Sequence, residues 1–451
     1  MANRLRFPGL WRCGGLSLGL AAALWLATPQ ACAQRLGKLG PDRPYPLRPR
    51  QLPNQLPLKP SLPPAVSIPL DPLDFAAPGL LYLGERETFA SLDFIDENRL
   101  LFTFRIPALL HRDASGGEER KIRAIVLSLP AGTIQTETDW TLHDRARYLW
   151  MLRDGHFLLR DRDNLYEGGP SLDVKSLLQF PGPLLSLELD PTQQYLVTNS
   201  YEPVPTAGPS PPGEASSSSP PPSSNDDSGD AETSSKPDFV VRILRLNSGN
   251  VLAVSRVRTA VRVPIDSDGY LEVLRGRAGE WTFNLKYFTG GSLLLGDVLS
   301  ACAPMAEFIS PGEFLATTCS DNGDDVLVAM NTEGRSLWAD TTSQYSVWPM
   351  VIRAANGLRI ARETLEVPHP INAFAPLSDS DIKGQLVRVF DAATGDMVFQ
   401  GPASPVLDGG GNFALSPSGR RLAVVNAGAI QVFDLPAPPP LPGSAASPSP
   451  R

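Results

Sequence analysis

Between residues 79 and 435, apolar and polar positions alternate in short runs, and each run closes on Gly, Asp or Asn. A period of two predicts half-buried β-strands, and the turn residues between runs predict hairpins. No long stretch has helical periodicity. The runs repeat in groups of four, near the period expected of propeller blades. The clearest group is MAEFISPGEFLATTCSDNGDDVLVAMNTEGRSLWADT, from Met305 to Thr341, with four strands separated by SPGE, SDNGD and NTEG. LLSLELDPTQQYLVTNSY and DFVVRILRLNSGNVLAVSRV supply two strands each to a second group. ETFASLDFIDENRLLFTFRI with KIRAIVLSLPAGTIQTETDW forms a third. Further groups begin at Tyr148, Asp268 and Val347, and the last spans Leu415 to Pro436.

That last group, LSPSGRRLAVVNAGAIQVFDLP, has only three strands. In other groups the fourth strand takes the form Gly-x-apolar-apolar, as in GTIQT, GNVLAV and GDMVFQ. The same form occurs once ahead of the first group, in GLLYLGERE from Gly79 to Glu87. This predicts an all-β propeller of seven four-stranded blades whose last blade is closed by an N-terminal strand, leaving only short protected edges. Six or eight blades are the alternative counts.

LSPSGRRLAVVNAGAIQVFDLP and VRVFDAATGD (Val387 to Asp396) resemble WD40-like and related bacterial propeller repeats. In that pattern a Ser-Pro-x-Gly turn precedes a strand, and an aromatic-Asp pair ends the third strand. Phe390-Asp391 and Phe433-Asp434 occupy the Trp-Asp position here. The Gly-His dipeptide of strict WD40 repeats is missing, so the triad built on that His is not carried over. The resemblance implies architecture over residues 79–435 and no particular ligand.

Composition marks what lies outside the propeller. The chain has 46 Pro, about twice ordinary usage, concentrated in three segments. Residues 34–78 read as a Pro-rich disordered linker and residues 436–451 as a Pro-rich disordered tail. Residues 203–237, rich in Pro and Ser, read as a disordered insertion within the propeller. At the N-terminus, Arg4, Arg6 and Arg12 precede the apolar run Gly14 to Ala27, and Ala31-Cys32-Ala33 precedes Gln34. This pattern predicts a signal peptide over 1–33, cleaved between Ala33 and Gln34. The apolar run is shorter than the roughly 20 residues of a membrane span. An uncleaved anchor and a lipoprotein at Cys32 are the alternatives, and Pro29-Gln30-Ala31 fits the latter poorly. Cleavage makes the formal charge of −8 more negative by three arginines. An acidic balance disfavours nucleic acid as a partner.

Cys302 and Cys319 are the two cysteines of the mature chain, at the ends of a predicted hairpin turning at Pro311-Gly312. A cross-strand disulfide in an exported protein and two buried free thiols are both open. No Cys or His has metal-ligand spacing, and no metal or cofactor is expected. The chain has no Gly-x-Ser-x-Gly elbow, dinucleotide fingerprint or P-loop. DSDG (Asp266 to Gly269) and DNGDD (Asp321 to Asp325) read as turns rather than calcium loops. Trp150, Trp281, Trp338 and Trp348 read as packing between blades.

The longest insertions, His111–Arg120, 203–237 and Pro368–Lys383, all fall between second and third strands. They should share one face, so His111, Arg112, Asp113 and His369 are candidate binding-face residues. No catalytic residue is assigned. The expected protein is an exported, monomeric binding scaffold at the bacterial cell envelope, periplasmic or extracellular. Its partner is a protein or a small ligand, with no transmembrane segment after cleavage. The alternative is a lactonase- or hydrolase-like enzyme with its site in the central channel. That needs charged groups from several inner strands, and the sequence displays no repeated Asp, Glu or His there.

Overall fold

Seven antiparallel sheets form the computed structural model, which describes residues 59–77, 88–107, 111–113, 117–144, 146–203, 238–277, 279–319, 325–341, 346–367, 382–407 and 411–438. Blade I runs from Ala90–Asp96 to Ile134–Leu142, blade II from Leu149–Met151 to Val174–Gln179, and blade III from Leu184–Leu189 to Val251–Val257. Blade IV ends with Ser292–Leu299, blade V runs from Met305–Ser310 to Ser336–Thr341, and blade VI from Ser346–Arg353 to Met397–Ala403. Blade VII is Phe413–Leu415, Arg421–Asn426 and Ala429–Asp434, with a fourth strand from the N-terminal side.

Each seam between neighbouring blades holds its own apolar cluster. Phe102 and Leu92 meet Ile430 and Val432 between VII and I, and Ile122 and Trp140 meet Phe157 and Leu159 between I and II. The same holds around the circle to Phe399 and Phe433 between VI and VII. Seven filled seams make a closed ring. Successive side chains point to opposite faces of a strand, and runs such as Leu100–Phe104 and Leu422–Val425 are buried on both, so blades are sandwiched by their neighbours. The thinnest seam is III–IV, where Val197, Val241, Ile243 and Ile265 are the buried members.

An N-terminal strand does close the last blade, but it is not Gly79–Glu87. Val66–Pro69 pairs with Ala429–Asp434 in the register Val66↔Val432 and Ile68↔Ile430. Residues 79–87 lie outside the described residues. The ring therefore begins inside the segment read as linker, and Ser61 also donates its amide to Gln400 O at 2.8 Å. Proline density hid a four-residue strand. At an outer edge a missing N–H costs no ladder bond, so Pro is tolerated there.

Blade IV also departs from its predicted grouping. Its three regular strands start at Gly269, and residues 262–266 take the inner place with a single bridge, Ile265↔Tyr270. Pro264 cannot donate to a ladder, yet its carbonyl accepts from Leu271 N at 2.9 Å. The DSDG motif is the turn between this inner segment and the next strand, closed by Asp266 N to Gly269 O at 2.8 Å.

Candidate functional site

The innermost strands of all seven blades surround a cavity of about 230 Å³ on the ring axis. Antiparallel order places first-to-second turns on one face and second-to-third connections on the other. The structure ties the first-to-second turns together. Ser418 N of blade VII donates to Glu97 of blade I at 2.7 Å, and Asn356 of blade VI donates to Ser418 O at 2.8 Å. Arg153 of blade II reaches Pro191 O of blade III at 2.7 Å and Ala355 O of blade VI at 3.2 Å, spanning the axis. Arg353 donates to Leu189 O at 3.0 Å, to Asp190 O at 3.1 Å, and to Phe308 O. These bonds make a floor.

The three long insertions leave from the opposite face. They connect Arg99–Arg105 to Glu118–Ser128, Tyr195–Tyr201 to Phe239–Arg245, and Arg359–Glu366 to Gly384–Asp391. The stem of the 204–237 insertion is pinned. Glu202 N donates to Asp238 O at 2.7 Å, and the Arg242 guanidinium grips the Glu202 carboxylate at 2.6 and 2.8 Å.

Among the described residues, six of the seven blades put one charged side chain into the channel, and the sign alternates with blade order. Asp93 comes from I, Arg147 from II, Glu188 from III, Arg262 from IV, Glu307 from V and Arg353 from VI. Blade VII contributes Phe413, Ala414 and Leu415. An odd ring cannot alternate throughout, and among the described residues blade VII fills the remaining place with apolar side chains. Arg262 Nε lies 2.7 Å from Glu188, and its guanidinium lies 3.5 Å from Glu307. The Ser91 hydroxyl donates to Asp93 at 2.6 Å.

The surrounding protein shifts these groups. Burial raises Asp93 to about 6, against the pull of the Ser91 bond and Arg147. Burial raises Glu188 to about 7, with Arg262 opposing. For Arg262 burial works against the charge, but Glu188 and Glu307 outweigh it and hold the guanidinium above its ordinary value. Its side chain keeps 48% of its surface open, so the channel is wetted although protein walls enclose it.

The absence of repeated charges at the inner strands was therefore a misreading. Identity does not repeat, but alternation of sign does. The signal was one ionisable residue inside each apolar inner run: SLDFI, SLEL, MAEFI and VIRAA.

The candidate residues from the insertions stand elsewhere. His111–Arg112 is a two-residue strand paired with Glu118 and Glu119, so the segment His111–Arg120 is in part a hairpin and not a plain loop. His111 Nε2 lies 3.7 Å from Glu119 with three-quarters of its side chain exposed. Asp113 turns onto blade II, where it pairs with Arg162 and stands 3.6 Å from His143 Nε2. His143 Nδ1 is 3.1 Å from Asp161. None of these lines the channel. His369, Ala33 and Gln34 lie outside the described residues. Cys302 is disulfide-bonded. Met305 pairs with Thr317, which puts Cys302 and Cys319 at the open end of one hairpin. The Cys319 side chain lies outside the described part. Trp338 does bridge blades, stacked 6.5 Å from Phe390 and bonded to Ala392 O at 2.8 Å. Trp150 packs in the seam between blades II and III and also lines the channel beside Arg147, 5.2 Å from ring to guanidinium.

These features define a seven-bladed β-propeller with a charged axial channel floored on one side. No family model matches the chain, and no curated protein matches it. Among solved structures it is similar to the acylaminoacyl peptidase of Pyrococcus horikoshii, with 10% identity and a TM-score of 0.44 over 74% of this chain and 49% of that one. The chain thus spans about half the length of that peptidase. It is also similar to the β-propeller domain of the Trilobed protease from Pyrococcus furiosus (10% identity, TM-score 0.40, 77% of this chain and 94% of that one). Kluyveromyces lactis Hsv2 is a third (13% identity, TM-score 0.34, 62% and 70%). No helix of the described residues is long and apolar enough to cross a membrane.

Proposed function

We propose that this chain is an exported propeller of the WD40-like repeat type that works as a binding module at the bacterial cell envelope. Its ligand or partner engages the face that carries the insertions and opens onto the axial channel. The observation that carries the reading is the floor. Arg153 and Arg353 spend their guanidinium donors on carbonyls of the opposite face, so access to the six channel charges is one-sided. The repeat relationship is supported by the Ser416-Pro417-Ser418-Gly419 turn between the first two strands of blade VII. It is supported as well by the placement of Asp391 and Asp434 at the ends of third strands. The disulfide at Cys302 suits an oxidising compartment.

Crosslinking the mature chain in an envelope extract, with the modified lysines mapped by mass spectrometry, tests this reading. Lys121 lies in the first half of a third strand and Lys383 precedes one, both on the insertion face. Lys286 ends a third strand and Lys175 opens a fourth, both on the floor side. Crosslinks should concentrate at Lys121 and Lys383. Crosslinks concentrated at Lys175 and Lys286 would place the partner on the floor and sink the reading.

A second reading rests on Asp93 and Glu188. Carboxyls raised to about 6 and about 7 inside a channel are poised for proton transfer near neutral pH. On that reading the channel is a hydrolase- or lactonase-like site. Turnover of an ester, lactone or glycoside that vanishes in Asp93→Asn or Glu188→Gln would favour it over binding alone.

A further inference from the structure

The alternating ring is unevenly satisfied. On one side Arg262 joins Glu188 and Glu307, so two carboxylates share one guanidinium. Arg353 commits its terminal nitrogens to the carbonyls of Phe308, Leu189 and Asp190. On the other side Asp93 and Arg147 stand on neighbouring blades and feel each other's charge, yet form no ion pair.

Both groups are held in place. Arg147 Nε donates to Leu149 O at 3.0 Å, and its guanidinium carbon lies over the Trp150 ring, 5.2 Å from the ring centre. Its two terminal nitrogens have no hydrogen-bond partner among the described residues. Asp93 accepts from Ser91 on Oδ2, which leaves Oδ1 without one among the described residues. Fixing a guanidinium by one bond and one stacking contact leaves its fork ready for a carboxylate. Groups ordered before binding lose little entropy when the ligand arrives.

A simple anion at Arg147 would also face Asp93, and a simple cation at Asp93 would face Arg147. Each pays like-charge repulsion, which selects against both. A molecule that carries both signs meets neither penalty. We propose that the channel binds a small zwitterion of the amino-acid class, its carboxylate on the terminal nitrogens of Arg147 and its ammonium on Asp93 Oδ1. Trp150, Met151 and Phe413 line the same cavity and offer apolar surface to a side chain. The inference rests on the channel being the binding site of the proposed module.

Isothermal titration of the full mature chain above neutral pH, with the standard amino acids as probes, tests it. Acetate and methylammonium serve as single-charge probes. At least one amino acid should saturate the protein and perturb tryptophan fluorescence, and that change should be lost in Trp150→Phe. Acetate and methylammonium should bind at least ~10-fold more weakly. Arg147→Met and Asp93→Asn should each weaken amino-acid binding by ~10-fold or more, while Arg335→Ala, an exposed turn residue of blade V, should not. Cooperative melts at or above the parent's melting temperature show that the variants are folded. Acetate binding as tightly as any amino acid would overturn the zwitterion assignment and leave channel binding intact. No binding by any amino acid to the folded chain would overturn the inference. The lysine crosslinks report separately on the module itself.

Discussion

Arg359 and Asp391 stand opposite each other across the second and third strands of blade VI, and Arg421 and Asp434 repeat the relationship in blade VII. The ion pairs measure 3.6 and 3.0 Å. The Asp of each Phe-Asp pair is thus the cross-strand partner of an Arg that opens the preceding strand. Gly419, at φ +67°, lets that turn pack on Arg359, because a Cβ there would come within 2.8 Å of Arg359 Cγ. Burial separates the two pairs. Arg359 and Asp391 are 1% and 8% exposed, against 32% and 62% for Arg421 and Asp434. Asp391→Ala strands a desolvated guanidinium whose Nε and Nη1 already lack acceptors, and should cost about 3–5 kcal/mol. Asp434→Ala should cost about 0–1 kcal/mol. Urea denaturation of the two variants checks this, and equal costs would refute it.

Ring closure predicts a sharp truncation boundary. Ile68 is buried against Ile430 and its neighbours in the seam between blades VII and I. A chain starting at residue 59 should melt as cooperatively as the full chain. A chain starting at residue 79 loses Val66–Pro69 and exposes the edge of Ala429–Asp434, which invites pairing between molecules. The loss of Ile68 packing alone should cost roughly 2–5 kcal/mol. Size-exclusion chromatography and thermal melts compare the two. A stable monomer from residue 79 would show that another segment closes the ring.

Most strands and blade groups were legible because short apolar runs bounded by turn residues survive wherever a strand is sandwiched between neighbours. The closing strand was not, because Val66–Pro69 sits among prolines that only an edge tolerates. The inner segment of blade IV was not, because Pro264 breaks its ladder to a single bridge. The channel escaped for a different reason. Asp93, Arg147, Glu188, Arg262, Glu307 and Arg353 share no motif, and only the ring brings them to one axis. Asp113 was legible as a loop carboxylate, but its commitment to Arg162 and His143 depends on how blades I and II meet.

The floor should yield in part when Arg153 is removed. Its guanidinium holds blade II to both III and VI, and a charged donor contributes about 1.5–3 kcal/mol to such bonds. In Arg153→Ala, amide exchange at the first-to-second turns of blades II, III and VI should accelerate ~10-fold or more. The turn of blade VII, which Glu97 and Arg421 hold in addition to Asn356 of blade VI, should keep more of its protection. Hydrogen exchange read by mass spectrometry resolves the two sets, and uniform protection throughout would show that Arg153 closes nothing.

Stability should fall as pH rises through the acidic range. An ordinary unfolded carboxyl titrates near ~4, whereas burial raises Asp93 to about 6 and Glu188 to about 7. Between those values the folded chain keeps protons that the unfolded chain has released. The contribution of these two groups is therefore complete below the unfolded pKa, and it is lost as pH rises through the folded ones. The loss is at most about 3 kcal/mol for either group, and less to the extent that channel water screens it. Asp93→Asn and Glu188→Gln should each flatten the slope, gaining on the parent chain above neutral pH. Arg262→Met should act the other way. Arg262 opposes the rise of Glu188, so its loss should move the lower-stability plateau to higher pH. Urea midpoints from about pH 4 to about pH 8 measure all three. A parent chain whose midpoint climbs over that range would show that the two carboxyls are stabilised as anions instead.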